Sequence, residues 1–159
     1  MSLRYVLTPG GSTVVLSDAA LKTMNHYRQI APRSKEAGGQ LFAQFEGDDT
    51  IIVEATPPKW CDRRNRYNFH PSRWLQQQEI RKRYSCGLHF VGDWHTHPEA
   101  APQPSQEDYR NMQDCFNKSI HDLNRFIMII VGYAEAPEGL HVTLIGQNSV
   151  QLMFCENNL

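Results

Sequence analysis

The stretch "GDWHTHPEAAPQPSQED" at positions 92–108 decides how this chain is read. It sets two histidines two residues apart and then, beyond a proline-laden loop, a serine and an aspartate three apart. In a β-strand, side chains alternate between faces, so residues i and i+2 point the same way. His95 and His97 therefore present two imidazoles side by side, with Thr96 turned to the other face. Pro98 has no N–H to give a strand ladder, so the strand is expected to stop there and leave both rings at its end. Strand ends of helix-covered sheets are where ligand sites tend to lie. Two neutral imidazoles on one side suit Zn²⁺, although an H-x-H pair alone reads as readily as two ordinary histidines.

Ser105 follows Pro98, Pro102 and Pro104 and opens a helical pattern, as an N-cap does. "SQED" resembles a capping box with Asp108 in the third helical position, where Asp is a weaker partner than Glu or Gln. Positions three apart also share a helix face, so Ser105 and Asp108 can point at one spot. The two readings are compatible, because a cap fixes the helix start and a fixed start aims the carboxylate. If the loop folds back, Asp108 becomes a third ligand beside His95 and His97. Three protein ligands leave a tetrahedral zinc one open position, the mark of a catalytic site that activates water near neutral pH. Such a site needs a base to orient the water and return its proton to the leaving group. Glu36 in "SKEAGGQLF" is the best-placed carboxylate, at the entry to an apolar strand and followed by two glycines that permit close approach. From spacing alone, a solvated loop glutamate is the preferred reading of that residue.

Outward from this stretch, 159 residues with 40% hydrophobic and 21% charged side chains imply one soluble globular domain, 1–159, with a core of its own. A net charge of −1 argues for neither nucleic acid nor an anionic membrane as partner. No apolar run approaches the roughly 20 residues of a membrane helix. The N-terminus lacks the apolar core of a signal peptide. The expected compartment is therefore the cytoplasm, with Cys61, Cys86, Cys115 and Cys155 reduced, since they lie far apart without a C-x-x-C pair.

Short β-rich segments at 3–8 and 13–17 flank "PGGS", a hairpin turn signal. From Ser17 a helical period places Leu21, Met24, Tyr27 and Ile30 on one face until Pro32. "GGQLFAQFEGDDTIIVEATPP" reads as two strands joined at 47–49, and 71–87 as a helix with Pro71 near its start and Gly87 past its end. "LHFVGDWHTH" is a strand and 105–119 a second long helix. "RFIMIIVGY" reads as a strand covered on both faces. "LHVTLIG" and "VQLMFC" complete the set. The expected fold is α/β, a single-domain twisted mixed sheet flanked by helices.

"EAGG" at 36–39, "HTHP" at 95–98 and "SQED" at 105–108, with seven residues between His97 and Ser105 and two between Ser105 and Asp108, resemble the JAMM (JAB1/MPN/Mov34) signature. This is an upstream Glu followed by HxHx7SxxD, and the resemblance covers most of the chain. It implies the JAB1/MPN fold, related to the cytidine deaminases, and hydrolysis of peptide or isopeptide bonds after the C-terminus of a ubiquitin-like protein. It further implies one zinc per chain on His95, His97 and Asp108, with Glu36 as general acid/base and Ser105 as hydrogen-bond donor to the oxyanion. The compact form most resembles bacterial members, some of which are encoded beside E1- and E2-like genes in anti-phage operons and remove a conjugated protein.

Two alternatives stand beside this reading: a non-catalytic scaffold of the same fold, and a processing peptidase for a small sulfur-carrier protein. Zinc deaminase chemistry wants H-x-E and P-C-x-x-C, and neither occurs. "CDRRNRYNFH" at 61–70 reads equally as a basic, aromatic lip for an extended tail or as a solvated loop with Tyr67 and Phe69 packed inward. Cys115, seven residues past Asp108, shares its helix side and is expected to be a structural thiol. His26, His70, His89, His121 and His141 are left as structural residues.

Overall fold

Alternation of side chains along a few strands sorts the whole molecule into two faces. The computed structural model describes residues 1–8 and 11–156. Its elements run β1 (Leu3–Val6), β2 (Thr13–Leu16), α1 (Asp18–His26), β3 (Gly38–Glu46), β4 (Asp49–Ala55), a short hairpin of β5 (Arg63–Arg64) and β6 (Phe69–His70), and α2 (Arg73–Tyr84). They continue through β7 (His89–Thr96), α3 (Gln106–Lys118), β8 (Phe126–Val131), β9 (Leu140–Ile145), β10 (Val150–Leu152) and β11 (Phe154–Cys155). All strands but those of the hairpin join one sheet in the order β10-β9-β8-β7-β3-β4-β2-β1-β11. Two of its pairings, β2 with β4 and β7 with β8, are parallel and the rest antiparallel, so the sheet is mixed as expected.

All six residues of β8 are buried, because both of its faces are covered. Ile127, Ile129 and Val131 join the larger core with Leu21 and Met24 of α1, while Phe126, Met128 and Ile130 pack with Met112 of α3. The neighbouring β7 inherits this division through its register: Asp93 lies opposite Met128 and His95 opposite Ile130, on the α3 side. Trp94 and Thr96 face the α1 side, where both are essentially sealed from solvent. The sheet also bends back on itself. β10 adds to β9 at one edge and β11 adds to β1 at the other, yet only Met153 separates them in the chain.

Helix α1 is shorter than the sequence period suggested. It ends at His26 with Tyr27 as C-cap, and Ile30 is exposed, because the chain has left the helix and Gln29 turns inward instead. Pro9 and Gly10 of the expected "PGGS" turn lie outside the described residues, while β1 and β2 do pair antiparallel. Helix α2 buries none of its side chains. At its C-terminal end the Arg83 guanidinium forks onto Glu54 of β4 at 2.9 and 2.7 Å and lies over the Phe42 ring. A cleft remains beneath the helix.

The two glycines that open β3 are required by space. A Cβ on Gly39 would fall 1.9 Å from the Thr56 carbonyl oxygen. Thr56 cannot retreat, because its N–H donates to the Gln40 carbonyl and its Oγ1 accepts from the Gln40 N–H, both at 2.9 Å. Gly39→Ala is expected to cost about 3 kcal/mol or more by urea unfolding. Gly47→Ala, at φ +59° in open space, should cost only about 1–2 kcal/mol.

Candidate metal centre

At the C-terminal end of β7 the loop from Pro98 to Pro104 folds back and brings the start of α3 against the two histidines. His95 Nε2 lies 3.2 Å from His97 Nε2, and Asp108 reaches both, Oδ1 at 3.1 Å from His95 Nε2 and Oδ2 at 3.4 Å from His97 Nε2. A tetrahedral zinc with ligand bonds of about 2.0–2.1 Å has its ligand atoms about 3.3 Å apart. The nearest separations in this cluster are of that size, with one Asp108 oxygen turned to each imidazole. The cap is formed as well: Ser105 Oγ accepts from the Asp108 N–H at 3.1 Å, and Asp108 Oδ2 accepts from the Ser105 N–H at 2.7 Å. Cap and cluster thus share one carboxylate, and the serine hydroxyl keeps its own proton free to donate.

The same contacts set the electrostatics of the cluster. Burial would raise the Asp108 carboxyl, but hydrogen bonds to His95 and His97 overcome it and hold the group well below the usual carboxylate range. Burial would likewise lower His97, yet Asp108 first, then Glu36 and Glu99, leave it raised. Glu36 completes the cluster. A carboxylate oxygen of Glu36 and one ring nitrogen of each histidine all lie within 4.8 Å of one another. Its burial pushes its pKa up, partly offset by His95 and His97. A raised carboxyl beside two imidazoles is suited to taking and returning a proton.

Glu36 is held by a framework that sequence reasoning did not find. Its N–H donates to the Asn65 carbonyl at 2.6 Å, and Arg64 Nε donates to the Glu36 carbonyl at 2.8 Å. The next residue, Ala37, donates its N–H to Thr96 Oγ1 at 2.9 Å and accepts from the Thr96 N–H at 2.8 Å. Thr96 Oγ1 in turn donates to Gln29 Oε1 at 2.9 Å, and Gln29 Nε2 donates to the carbonyls of Ser34 and Arg66. The residue between the two histidines therefore fixes the glutamate from the opposite face of the strand. The one available clue was a threonine turned to the face opposite the two histidines. The 61–70 segment also proves two-sided: Arg64 and Asn65 buttress Glu36, Phe69 packs against Gly38, and Tyr67 points outward.

From this cluster a groove of about 670 Å³ runs between α2 and α3. Arg73, Gln76 and Ile80 form one wall, Asn111, Cys115 and Ser119 the other, and Gln40, Phe90 and Asp93 the floor. Cys115 accordingly lies on the groove side of α3, its thiol pushed up to about 11 chiefly by burial. Desolvation alone raises Asp93 to about 7, and its Oδ1 is sealed from solvent without a hydrogen-bond partner.

Residues 19–145 match the family model described as prokaryotic homologs of the JAB domain. The chain belongs to this Prok-JAB family. Among curated relatives, a "CD-NTase/cGAS isopeptidase" of Escherichia coli is 31% identical over 122 residues, covering 75% of each chain. A "Probable metalloprotease" of Sinorhizobium fredii is 25% identical, covering 72% of this chain and 70% of its own. A solution structure from Desulfitobacterium hafniense superposes with a TM-score of 0.61 at 24% identity over 86% of this chain and 87% of that one, and supports the α/β fold. Prok-JAB membership, together with relatives so named, supports a peptidase-like hydrolase.

Two measurements on this Prok-JAB chain check the framework. Thr96→Val keeps the shape but strands the Gln29 oxygen and the Ala37 N–H, so it should cost about 2–4 kcal/mol; Thr96→Ser, which keeps the hydroxyl, should cost less than half of that. Asp93 bears on pH. Its folded-state pKa is raised, so the stability of its neutral form is fully present below about pH 4 and is lost as pH rises through about 7. In metal-free protein, Asp93→Asn should therefore gain on wild type across that window by up to about 4 kcal/mol. Urea unfolding at pH 4.5, 6 and 7.5 reads this directly, and parallel curves would contradict it.

Proposed function

We propose that this protein is a zinc-dependent isopeptidase or peptidase that cleaves the bond after the C-terminal tail of a ubiquitin-like protein or its conjugate. The observation that carries the reading is the cluster of His95, His97 and Asp108, whose nearest nitrogen and oxygen atoms lie 3.1–3.4 Å apart, with Glu36 alongside. Its relatives bear the name of CD-NTase/cGAS isopeptidases, and a conjugated enzyme of that kind is the first substrate to try. A cytoplasmic setting is part of the proposal; among the described residues no helix is long and apolar enough to cross a membrane.

His95, His97 and Asp108 would hold the zinc, which when bound supplies Lewis-acid polarisation and water activation at neutral pH. Glu36 takes a proton from the attacking water on its carboxylate oxygen and delivers it to the leaving amine. Backbone clamps to Asn65, Arg64 and, through Ala37, Thr96 fix the point from which that side chain extends. The Ser105 hydroxyl, anchored at the helix cap by accepting from the Asp108 N–H, would donate to the oxyanion of the tetrahedral intermediate. The groove between α2 and α3 leads to this cluster and would receive an extended chain. No step involves a thiol, and all four cysteines are free.

Glu36→Gln should bind one zinc per chain and lose about 10²–10⁴-fold in kcat/KM, whereas His97→Ala should lose the metal itself. A chelator should abolish cleavage of a ubiquitin-like fusion or conjugate, zinc should restore it, and iodoacetamide should leave it intact. Full activity in zinc-loaded Glu36→Gln, measured on the same fusion, would overturn the mechanism.

A further inference from the structure

We propose that Asp93 and Gln40 form the floor of a subsite that binds a basic side chain, lysine or arginine, of the substrate chain. The substrate rests on the peptidase reading above, and the subsite rests on observations of its own. The two residues are cross-strand partners, Gln40 on β3 and Asp93 on β7, and both line the groove. Each carries an oxygen sealed from solvent to which no protein group donates: Oε1 of Gln40 and Oδ1 of Asp93. The Gln40 amide cannot exchange its ends, because its Nε2 donates to the Gln76 carbonyl at 3.1 Å and a flip would set oxygen against oxygen. Gln40 is only 2% exposed, so its free acceptor is a buried one.

Two such acceptors on paired positions lie about 5 Å apart at their Cβ atoms, within reach of one ammonium or guanidinium group. The groove's own cations do not serve them. Lys118 pairs with Asp114, and among the described residues Arg73 makes no ion pair with Asp93. A carboxylate oxygen sealed from solvent without a donor is costly, and the half-buried Asp93 lines a cleft that an incoming chain can enter. A neutral amide would satisfy the hydrogen bonds alone; a basic group satisfies them and supplies the countercharge. Asp93 precedes His95 by two residues on the same face of β7, about 6.6 Å along the strand. The basic side chain therefore belongs about two residues from the scissile bond.

The test is fluorescence anisotropy with the zinc-loaded protein and labelled ten-residue Gly/Ser peptides. A single lysine, glutamine or norleucine is moved along the sequence, and each peptide is followed by mass spectrometry for cleavage. At one position lysine should bind about tenfold tighter than norleucine, with glutamine between them. The preference should collapse in Asp93→Asn at unchanged zinc content and shrink in Gln40→Leu. Equal binding of lysine and norleucine at every position, no binding by wild type, or a preference that survives Asp93→Asn would overturn the subsite. Cleavage without lysine preference would retire the subsite and keep the peptidase reading; lysine preference without any cleavage of peptide or fusion would do the reverse.

Discussion

The candidate centre hangs from the carboxylate of Asp108, whose two oxygens serve two structures at once. One oxygen closes the capping box of α3 by accepting from Ser105, and the pair of them meets both histidines. This double duty explains why the helix begins where it does. Moving the cap by one residue would rotate the carboxylate about 100° around the helix axis and carry it off the imidazoles. The loop of prolines before it has the complementary task of limiting the conformations from which the helix can start.

Glu36 comes from a part of the chain with no local reason to lie here. What places it is the other side of β7. The strand's alternation sends His95 and His97 toward α3 and Thr96 toward α1, and Thr96 then binds Ala37 and Gln29 in the interior. The proton-carrying group is thus positioned by a side chain that never faces the groove. The arrangement separates the group that reacts from the groups that hold it, as pre-organisation requires.

How much of this was legible in the sequence follows from how local each signal is. His95 and His97 sharing a face, the helix start at Ser105 and the doubly covered β8 are consequences of period and of proline chemistry, and the structure has them as read. Glu36 was legible only through the family resemblance, since its position depends on contacts from residues 29, 64, 65 and 96 that no spacing links. Ile30 misled because its helical period continued past Tyr27 after the backbone had already turned. The groove and its unpaired acceptors were illegible altogether. Gln40 reads as one polar residue in an apolar strand, and only the β3–β7 register puts it beside Asp93.

The single residue between β10 and β11 has a consequence for the chain as a solute. A long sheet ordinarily ends in two rows of unsatisfied N–H and C=O groups, each a template for another molecule. Here one segment, Val150–Cys155, lies along the edge of β9 with its first half and along the edge of β1 with its second. Met153, buried at the crossing and donating its N–H to Val142, pins the two halves together. This one segment therefore supplies both edge strands of the sheet, three residues long on one side and two on the other, and edges so short offer little template for edge-to-edge association. Loosening that segment would expose both edges in one event, so self-association would be governed by this short stretch and not by the stability of the core.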